Sequence, residues 1–500
     1  MASSYRECTV NSATVVGVNA VPVSVEVVVS NGMPGFAIVG MTDVAIQEAR
    51  ERVKAAMRGC GFTMPNEKVV VNLAPGFLKK TGSGFDLPIA AGLLAATGQI
   101  PMQVTRDCLM VGELSLDGAI RPVRGMLAYQ ELALKTGLDL LCGPMTAYGS
   151  SEASSVIKVL RSLHSLRNTL FEAANPPDAS CEACTSPDFA EVGGHEDAKR
   201  ALQIAAAGNL GIMMMGPPGS GKTMLASRLP SILPPLNERE MLESAKIRSI
   251  VGEDTSSVLA GIRPFRAPHH SATAAGLCGG GSPVRPGEMS LAHNGVLFVD
   301  EIPEFKPSVL QMMRKPVEEG RIVITRADGN VVLPARFMLV AASNPCPCGY
   351  YGDPDKECTC SVQQITTYQN RIGGPLIDRF DMCLDVWRSD FDEVVRSSGD
   401  VDSATLREGV LVAREFASWR MSRSEHALKD SSTKAMLEAC QMEQQTRSFL
   451  EGAASAHAMS GRAICSTLRV ARTIADIEEK ERVAFEHVAE ALNLRLRNGR

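Results

Sequence analysis

The chain has 500 residues, 45% of them hydrophobic and 21% charged, with a formal net charge of −5. That length exceeds one hydrophobic core and predicts about three domains, while the acidic balance excludes a global basic field and leaves nucleic acid only a local patch. No N-terminal segment reads as a secretory signal, and the longest apolar runs, such as Ile89–Ala96, fall short of the ~20 residues of a span, so the expectation is a cytoplasmic protein without a membrane partner.

Residues 10–30 alternate and are rich in valine, which predicts two strands joined by a turn near Pro22. Residues 42–59 predict an amphipathic helix with Val44, Ala45, Val53 and Met57 on its apolar side. Lys68–Leu73 reads as a strand, and 86–97 as a helix with Pro88 in its first turn, where a missing N–H costs little. Together these predict a compact α+β domain over residues 1–170. Residues 171–189, with Pro176, Pro177, Cys181, Cys184 and Pro187, read as a linker. Residues 190–395 alternate helix and strand as a parallel α/β domain does, with Val296–Val299 and Phe337–Ala341 as buried strands. Residues 396–500 read as helices at 404–418, 431–449, 460–478 and 483–495, whose weak apolar faces predict packing against something larger.

The run Gly216-Pro217-Pro218-Gly219-Ser220-Gly221-Lys222-Thr223 matches G-x-x-x-x-G-K-[ST]. An apolar stretch, Leu210–Met215, precedes it, and a helical pattern, Met224–Leu229, follows. Strand, glycine loop and helix make a cradle in which backbone N–H groups and the helix N-terminus meet phosphates. Lys222 is then expected at the β/γ-phosphates of ATP, and the Thr223 hydroxyl on Mg²⁺. Some 80 residues on, strand Val296–Val299 ends in Asp300-Glu301. Asp300 suits Mg²⁺ and Glu301 suits the attacking water. Asn344 follows the next strand and is expected at the γ-phosphate or that water; the plainer reading, a turn residue before Pro345, is compatible. Arginine from a neighbouring subunit commonly completes such a site, with Arg379 the first candidate, Arg371 the second, and Arg469 and Arg472 on a helix expected to fold over the nucleotide.

Residues 314–336 predict a hairpin around Asp328-Gly329-Asn330 that carries Arg321 and Arg326, suited to phosphate contacts with DNA. The glycine-rich stretch 261–287 holds His269-His270; adjacent side chains diverge, so a mobile insert near a pore is a better reading than a metal site. Cys346, Cys348, Cys358 and Cys360 form two C-x-C pairs nine residues apart and are expected to bind Zn²⁺, with free thiols or disulfides as the other readings. Cys181 and Cys184 form a separate C-x₂-C pair.

This order of motifs resembles the AAA+ superfamily, and in particular the magnesium-chelatase-like ATPases of the YifB/ComM family. The stretches that carry the resemblance are Gly32–Gly40, Gly84–Ala90, Phe265–His270, Gly287–Gly295, Asn344–Gly349 and Leu468–Asp476. The resemblance implies a Lon-protease-like N-terminal domain, an AAA+ P-loop core and a C-terminal helical lid. It makes Lys222 and Thr223 Walker A residues, Asp300 and Glu301 Walker B, Asn344 sensor 1, Arg379 the arginine finger and Arg469 sensor 2. In ring ATPases of this clade the hairpin before sensor 1 points into the pore. The implied protein is a homo-hexameric ATP-dependent helicase acting on single-stranded or branched DNA, promoting branch migration in homologous recombination or natural transformation. A remodeller of a protein partner and a nucleotide-gated regulatory ATPase are the alternatives. Proteolysis is not expected: the nucleophile position of the Lon dyad falls on Gly84 and its lysine position near Leu127.

Overall fold

A computed structural model of the chain describes residues 5–145, 154–169, 171–174, 187–326, 329–388, 401–423 and 433–495. Cys181 and Cys184, the hairpin tip at Asp328 and the expected boundary at 395 lie outside these residues. The first sheet has eight strands, ordered Glu172–Ala173, Ile157–Val159, Asp139–Cys142, Cys108–Val111, Arg6–Val16, Asn19–Ser30, Lys68–Ala74 and Gly35–Val39. Helix Asp86–Ala96 lies on its two longest strands and beneath helix Val44–Gly59, so every one of its residues is buried. Gly92 permits that approach, since a Cβ there would lie 2.7 Å from Val27 Cγ2.

Two expectations change here. The first turn falls at Gly17-Val18, where Gly17 has φ +64, and not at Pro22. Pro22 lies inside the second strand opposite Ala13, before pairing with Lys68–Ala74 begins at Ser24, so the strand has a single neighbour at the residue that lacks an N–H. In helix Val44–Gly59 the buried stripe is Ile46, Ala49, Val53, Ala56 and Met57; Val44 stands at the N-terminus, exposed.

Five parallel strands form the second sheet, ordered Phe265–Arg266, Val296–Val299, Met338–Ser343, Ile212–Met215 and Met382–Asp385. The three inner strands are buried along their whole length, which explains their unbroken apolar sequence. Helices occupy the C-terminal region: Ser403–Arg423, Thr433–Cys440, Gln444–Ala456, Gly461–Ile477 and Phe485–Asn493. The single helix expected over 431–449 is two, because the backbone turns left-handed at Gln441, φ +46. Helix Gly461–Ile477 also lacks the weak apolar face expected of it: Leu468, Val470, Ala471, Ile474 and Ala475 join one core with Ile212, Met214, Phe298 and Val340 of the sheet.

Both ends of the 171–189 stretch are built into elements. Glu172–Ala173 pairs with Ile157–Val159, while Phe189 is buried and its N–H donates to Ser403 Oγ at 2.9 Å. Helix Met126–Thr136, which packs on the N-terminal sheet, docks on helix Glu238–Val251: Lys246 Nζ reaches Glu131 at 2.7 Å, and the Gly125 N–H donates to the Ser249 carbonyl at 2.9 Å. Leu127 is buried there with Leu236, Ala245 and Val258. Gly84 faces Val111 and Val123, and the neighbouring Ser83 hydroxyl donates to Glu113, a carboxylate and not an amine.

Candidate nucleotide site and arginine cluster

The loop Gly216–Gly221 joins strand Ile212–Met215 to helix Lys222–Ile232. Gly219 and Gly221 have φ +79 and +80, so the loop turns where side chains are disfavoured. Lys222 Nζ folds back onto the loop, donating to the carbonyls of Gly216 and Pro217, both at 2.8 Å, and to Ser220 Oγ at 3.2 Å. Burial holds its pKa below the ordinary lysine value, against the opposing pull of Asp300 and Glu301. The Thr223 hydroxyl donates to Asp300 Oδ2 at 2.8 Å. A hydroxyl and a carboxylate so converged are hard oxygen donors of the kind Mg²⁺ takes, so these two residues fit that ion.

Glu301 follows in a left-handed conformation, φ 49 and ψ 46, while its N–H donates to Asp300 Oδ1 at 2.9 Å. Such backbone costs about 1–3 kcal/mol in a residue with a side chain. His270 Nδ1 lies 3.8 Å from Glu301 Oε2, and the tilted rings of His269 and His270 have centroids 4.0 Å apart, so these neighbouring side chains do not diverge as expected. The His-His pair therefore meets the acidic residue of the nucleotide site, a partner that no local sequence signal announces. Asn344 follows strand Met338–Ser343, whose Ser343 pairs with Met215 and accepts from the Gly216 N–H at 3.2 Å, so Asn344 stands beside the phosphate loop.

The candidate arginines divide. Arg379 comes just before strand Met382–Asp385, which runs parallel to Ile212–Met215. It therefore sits at the strand end opposite the loop, about 13 Å away over four residues. Its side chain is 10% exposed and its Nη2 donates to Glu318 Oε2 at 2.8 Å. Arg379 Nε and Nη1 are buried without a hydrogen-bond partner among the described residues. Arg469 occupies the same end: its Nη1 lies 3.3 Å from Asp381 Oδ1, and Asp381 is tied to Gly211 through both backbone and side chain. Arg462, Ser466 and Arg469 fall at i, i+4 and i+7 on one helix face, and Arg462 also pairs with Glu318. Helix Gly461–Ile477 thus presents this face at the sheet end opposite its own chain's phosphate loop. Arg472 is a structural residue, buried on Asp476 and the carbonyls of Lys480 and Glu481. Arg371, half exposed, lies 3.8 Å from Glu304.

The hairpin Arg321–Arg326 and Gly329–Pro334 forms, but its ladder runs on to Arg326 and Gly329, so Gly329 and Asn330, expected in the turn, belong to the second strand. Its two arginines do not share a face. Ile322, Ile324 and Arg326 turn inward, where Arg326 donates to the Gly281 carbonyl; Arg321, Val323 and Thr325 turn outward, with Arg321 3.3 Å from Glu319. Arg263 and Arg266, in the neighbouring insert, are held by Glu240 and by Glu253 and Glu288. The sulfurs of Cys346, Cys348, Cys358 and Cys360 all lie within 4.8 Å of one another.

Family models match most of the chain. One for magnesium chelatase, subunit ChlI, covers residues 188–394, one for subunit ChlI of Mg-chelatase covers 25–146, and one for the ChlI C-terminal part covers 400–495. The chain is 38% identical over 498 residues to the uncharacterized protein YifB of Salmonella typhimurium, covering 97% of this chain and 96% of that one. It is 39% identical to the competence protein ComM of Haemophilus influenzae, covering 97% of both. A shorter match, 27% identical over 38% of this chain and 20% of the other, is to the DNA replication licensing factor mcm6 of Dictyostelium discoideum. No helix among the described residues is long and apolar enough to cross a membrane.

Proposed function

The chain belongs to the magnesium-chelatase-like AAA+ family, whose members' ATPase activity it is expected to share, and from that premise we propose that it is a ring-forming, Mg-ATP-driven motor acting on single-stranded or branched DNA. One observation carries the ring: Arg379, Arg462 and Arg469 gather at the sheet end opposite their own phosphate loop. Arginines there serve a nucleotide only when a second copy presents its own loop to them. A homo-hexamer is the assembly this reading takes.

The roles follow from position. Lys222 leaves the Gly216 and Pro217 carbonyls and donates to phosphate oxygens, a better acceptor for its charge than neutral carbonyls. Thr223 and Asp300 hold Mg²⁺, which supplies charge neutralisation on the phosphates. Glu301 orients the attacking water and accepts its proton, with His270 steadying the carboxylate. Asn344 donates to the γ-phosphate or the water. Arg379, with Arg469 beside it, meets the charge that develops on the neighbour's γ-phosphate. The N-terminal domain, with Gly84 and Leu127 at the dyad positions, serves as scaffold.

DNA as the track is supported by Arg321 on the outer hairpin face, by Arg326, whose partner is a neutral carbonyl, and by the likeness to a competence protein and to a DNA replication factor. Branch migration in recombination or transformation is the process this reading favours. One observation favours a protein cargo instead: Val323 and Val332 pair on the outer face, 47% and 48% exposed. ATP hydrolysis measured with single-stranded, duplex and forked DNA separates the two. The motor on DNA predicts strong stimulation by forks, steep loss with salt, and a reduced effect in Arg321→Ala and Arg326→Ala. No binding and no stimulation by any DNA at low salt would refute it.

A further inference from the structure

Residues 344–361 contain no helix and no strand, yet they run in contact with the phosphate loop. Little apolar burial explains this. Pro345, Cys346 and Gly349 are buried, and from Tyr351 to Ser361 no residue is. A segment that lacks a core of its own needs a cross-link. The four cysteines are free thiols, three of whose sulfur pairs are separated by 3.3, 3.5 and 3.7 Å. Zinc–sulfur bonds of about 2.3 Å place tetrahedral sulfurs about 3.8 Å apart. The spacing is too wide for a disulfide, about 2.05 Å. It is too close to surround an iron–sulfur cluster, so it suits one mononuclear ion in an all-thiolate shell.

The knuckle touches the nucleotide site. Gly349, φ +86, follows Cys348, and a Cβ on it would lie 2.6 Å from Pro218 Cδ of the phosphate loop. Next to it, the Tyr350 ring takes Lys356 Nζ at 4.0 Å and the Arg388 guanidinium at 5.7 Å. Arg388 Nη2 in turn donates to the Pro218 carbonyl at 3.1 Å. Cys346 is two residues from Asn344.

We propose that Cys346, Cys348, Cys358 and Cys360 hold one zinc ion, and that this ion fastens the knuckle that braces Pro218 and Asn344 from outside the nucleotide site. The metal stands on the sulfur geometry alone; the bracing role rests on the nucleotide reading above. Removing the ion frees residues 349–357, releases the Gly349 and Tyr350 contacts, and lets the loop lose its outer wall.

The test uses the full chain purified without chelators. Elemental analysis is expected to give one zinc per chain, and cobalt exchange to give the intense thiolate-to-cobalt absorption of a tetrahedral site. Cys346 is buried, so the variant is Cys358→Ser with Cys360→Ser, which alters the two ligands furthest from the core, alongside chelator-stripped wild type. Both are expected to lose the metal and to bind a fluorescent ATP analogue about tenfold more weakly, the worth of roughly one hydrogen bond to the phosphates, with zinc restoring the stripped wild type. Less than one zinc per three chains with no cobalt band, or iron in its place, would overturn the site. A full complement of zinc whose removal leaves analogue binding unchanged would overturn the bracing. Wild type that carries zinc but binds no nucleotide would instead sink the nucleotide reading, while the cobalt spectrum still decides the metal.

Discussion

Replacing Glu318 with alanine should activate the protein. In the structure Glu318 holds two of the three gathered arginines, Arg379 at 2.8 Å and Arg462. To reach a neighbour's nucleotide, Arg379 has to leave that carboxylate. Glu318 is 45% exposed, so its pair with Arg379 is screened and contributes about 1 kcal/mol. The tucked arginine also leaves Nε and Nη1 unpaired, a cost it recovers on extending into water or onto phosphate. Removing about 1 kcal/mol of restraint shifts the tucked-to-extended ratio about fivefold. Steady-state ATP hydrolysis at chain concentrations where the ring is only partly formed should therefore rise up to about fivefold in Glu318→Ala. Arg379→Ala should abolish hydrolysis, and the double variant should match Arg379→Ala. Unchanged hydrolysis in Glu318→Ala together with full activity in Arg379→Ala would refute the reasoning, because neither the latch nor the finger would then exist.

Two further outcomes follow from side chains around the same core. His270→Ala should lower the hydrolysis rate constant while leaving ATP-analogue affinity near wild type, since His270 meets Glu301 and not the phosphate loop; equal losses in both would place it in binding. Burial pulls the pKa of His293 below the ordinary 6.5, against the opposing pull of Glu243, which Nε2 faces at 3.3 Å, while Nδ1 accepts from the Arg336 N–H at 3.0 Å. With the folded value depressed, the unfolded chain binds more protons below about pH 6.5, so stability falls as the pH drops through that value. Thermal melts should show this acid loss in wild type and a smaller one in His293→Gln; identical pH slopes would exclude His293 as its source.

Much of the candidate nucleotide site was legible because its parts are short, local and ordered along the chain. A glycine run between an apolar strand and a helix, then an acidic pair closing a second strand, needs little tertiary context. The arginines were harder. That Arg379 precedes its strand while the loop follows a parallel one places them at opposite ends, but this needs the pairing of Ile212 with Met382 to be known. Arg469 depends on how helix Gly461–Ile477 lies over the sheet, which the spacing of charges on one helix does not contain. The hairpin offered a missed inference: Arg326 lies five positions after Arg321, an odd offset, so alternation alone puts them on opposite faces. His270 left no local signal, because its meeting with Glu301 closes a long loop. The break at Gln441 was hidden for another reason, since glutamine rarely adopts positive φ and nothing nearby marks the stop.

The turn at Gly17 bears on all of this. A Cβ there would stand 2.7 Å from Val331 Cγ1 of the hairpin, and Val18 shares a core with Ile322 and Leu333. The tip of the longest strand pair in the N-terminal sheet thus packs directly against the hairpin. A displacement of the hairpin toward that sheet would therefore have to push into the Gly17 turn. A side chain added at position 17 would have to displace Val331 and strain a left-handed backbone, so the packing of the N-terminal sheet and that of the hairpin are coupled through one glycine.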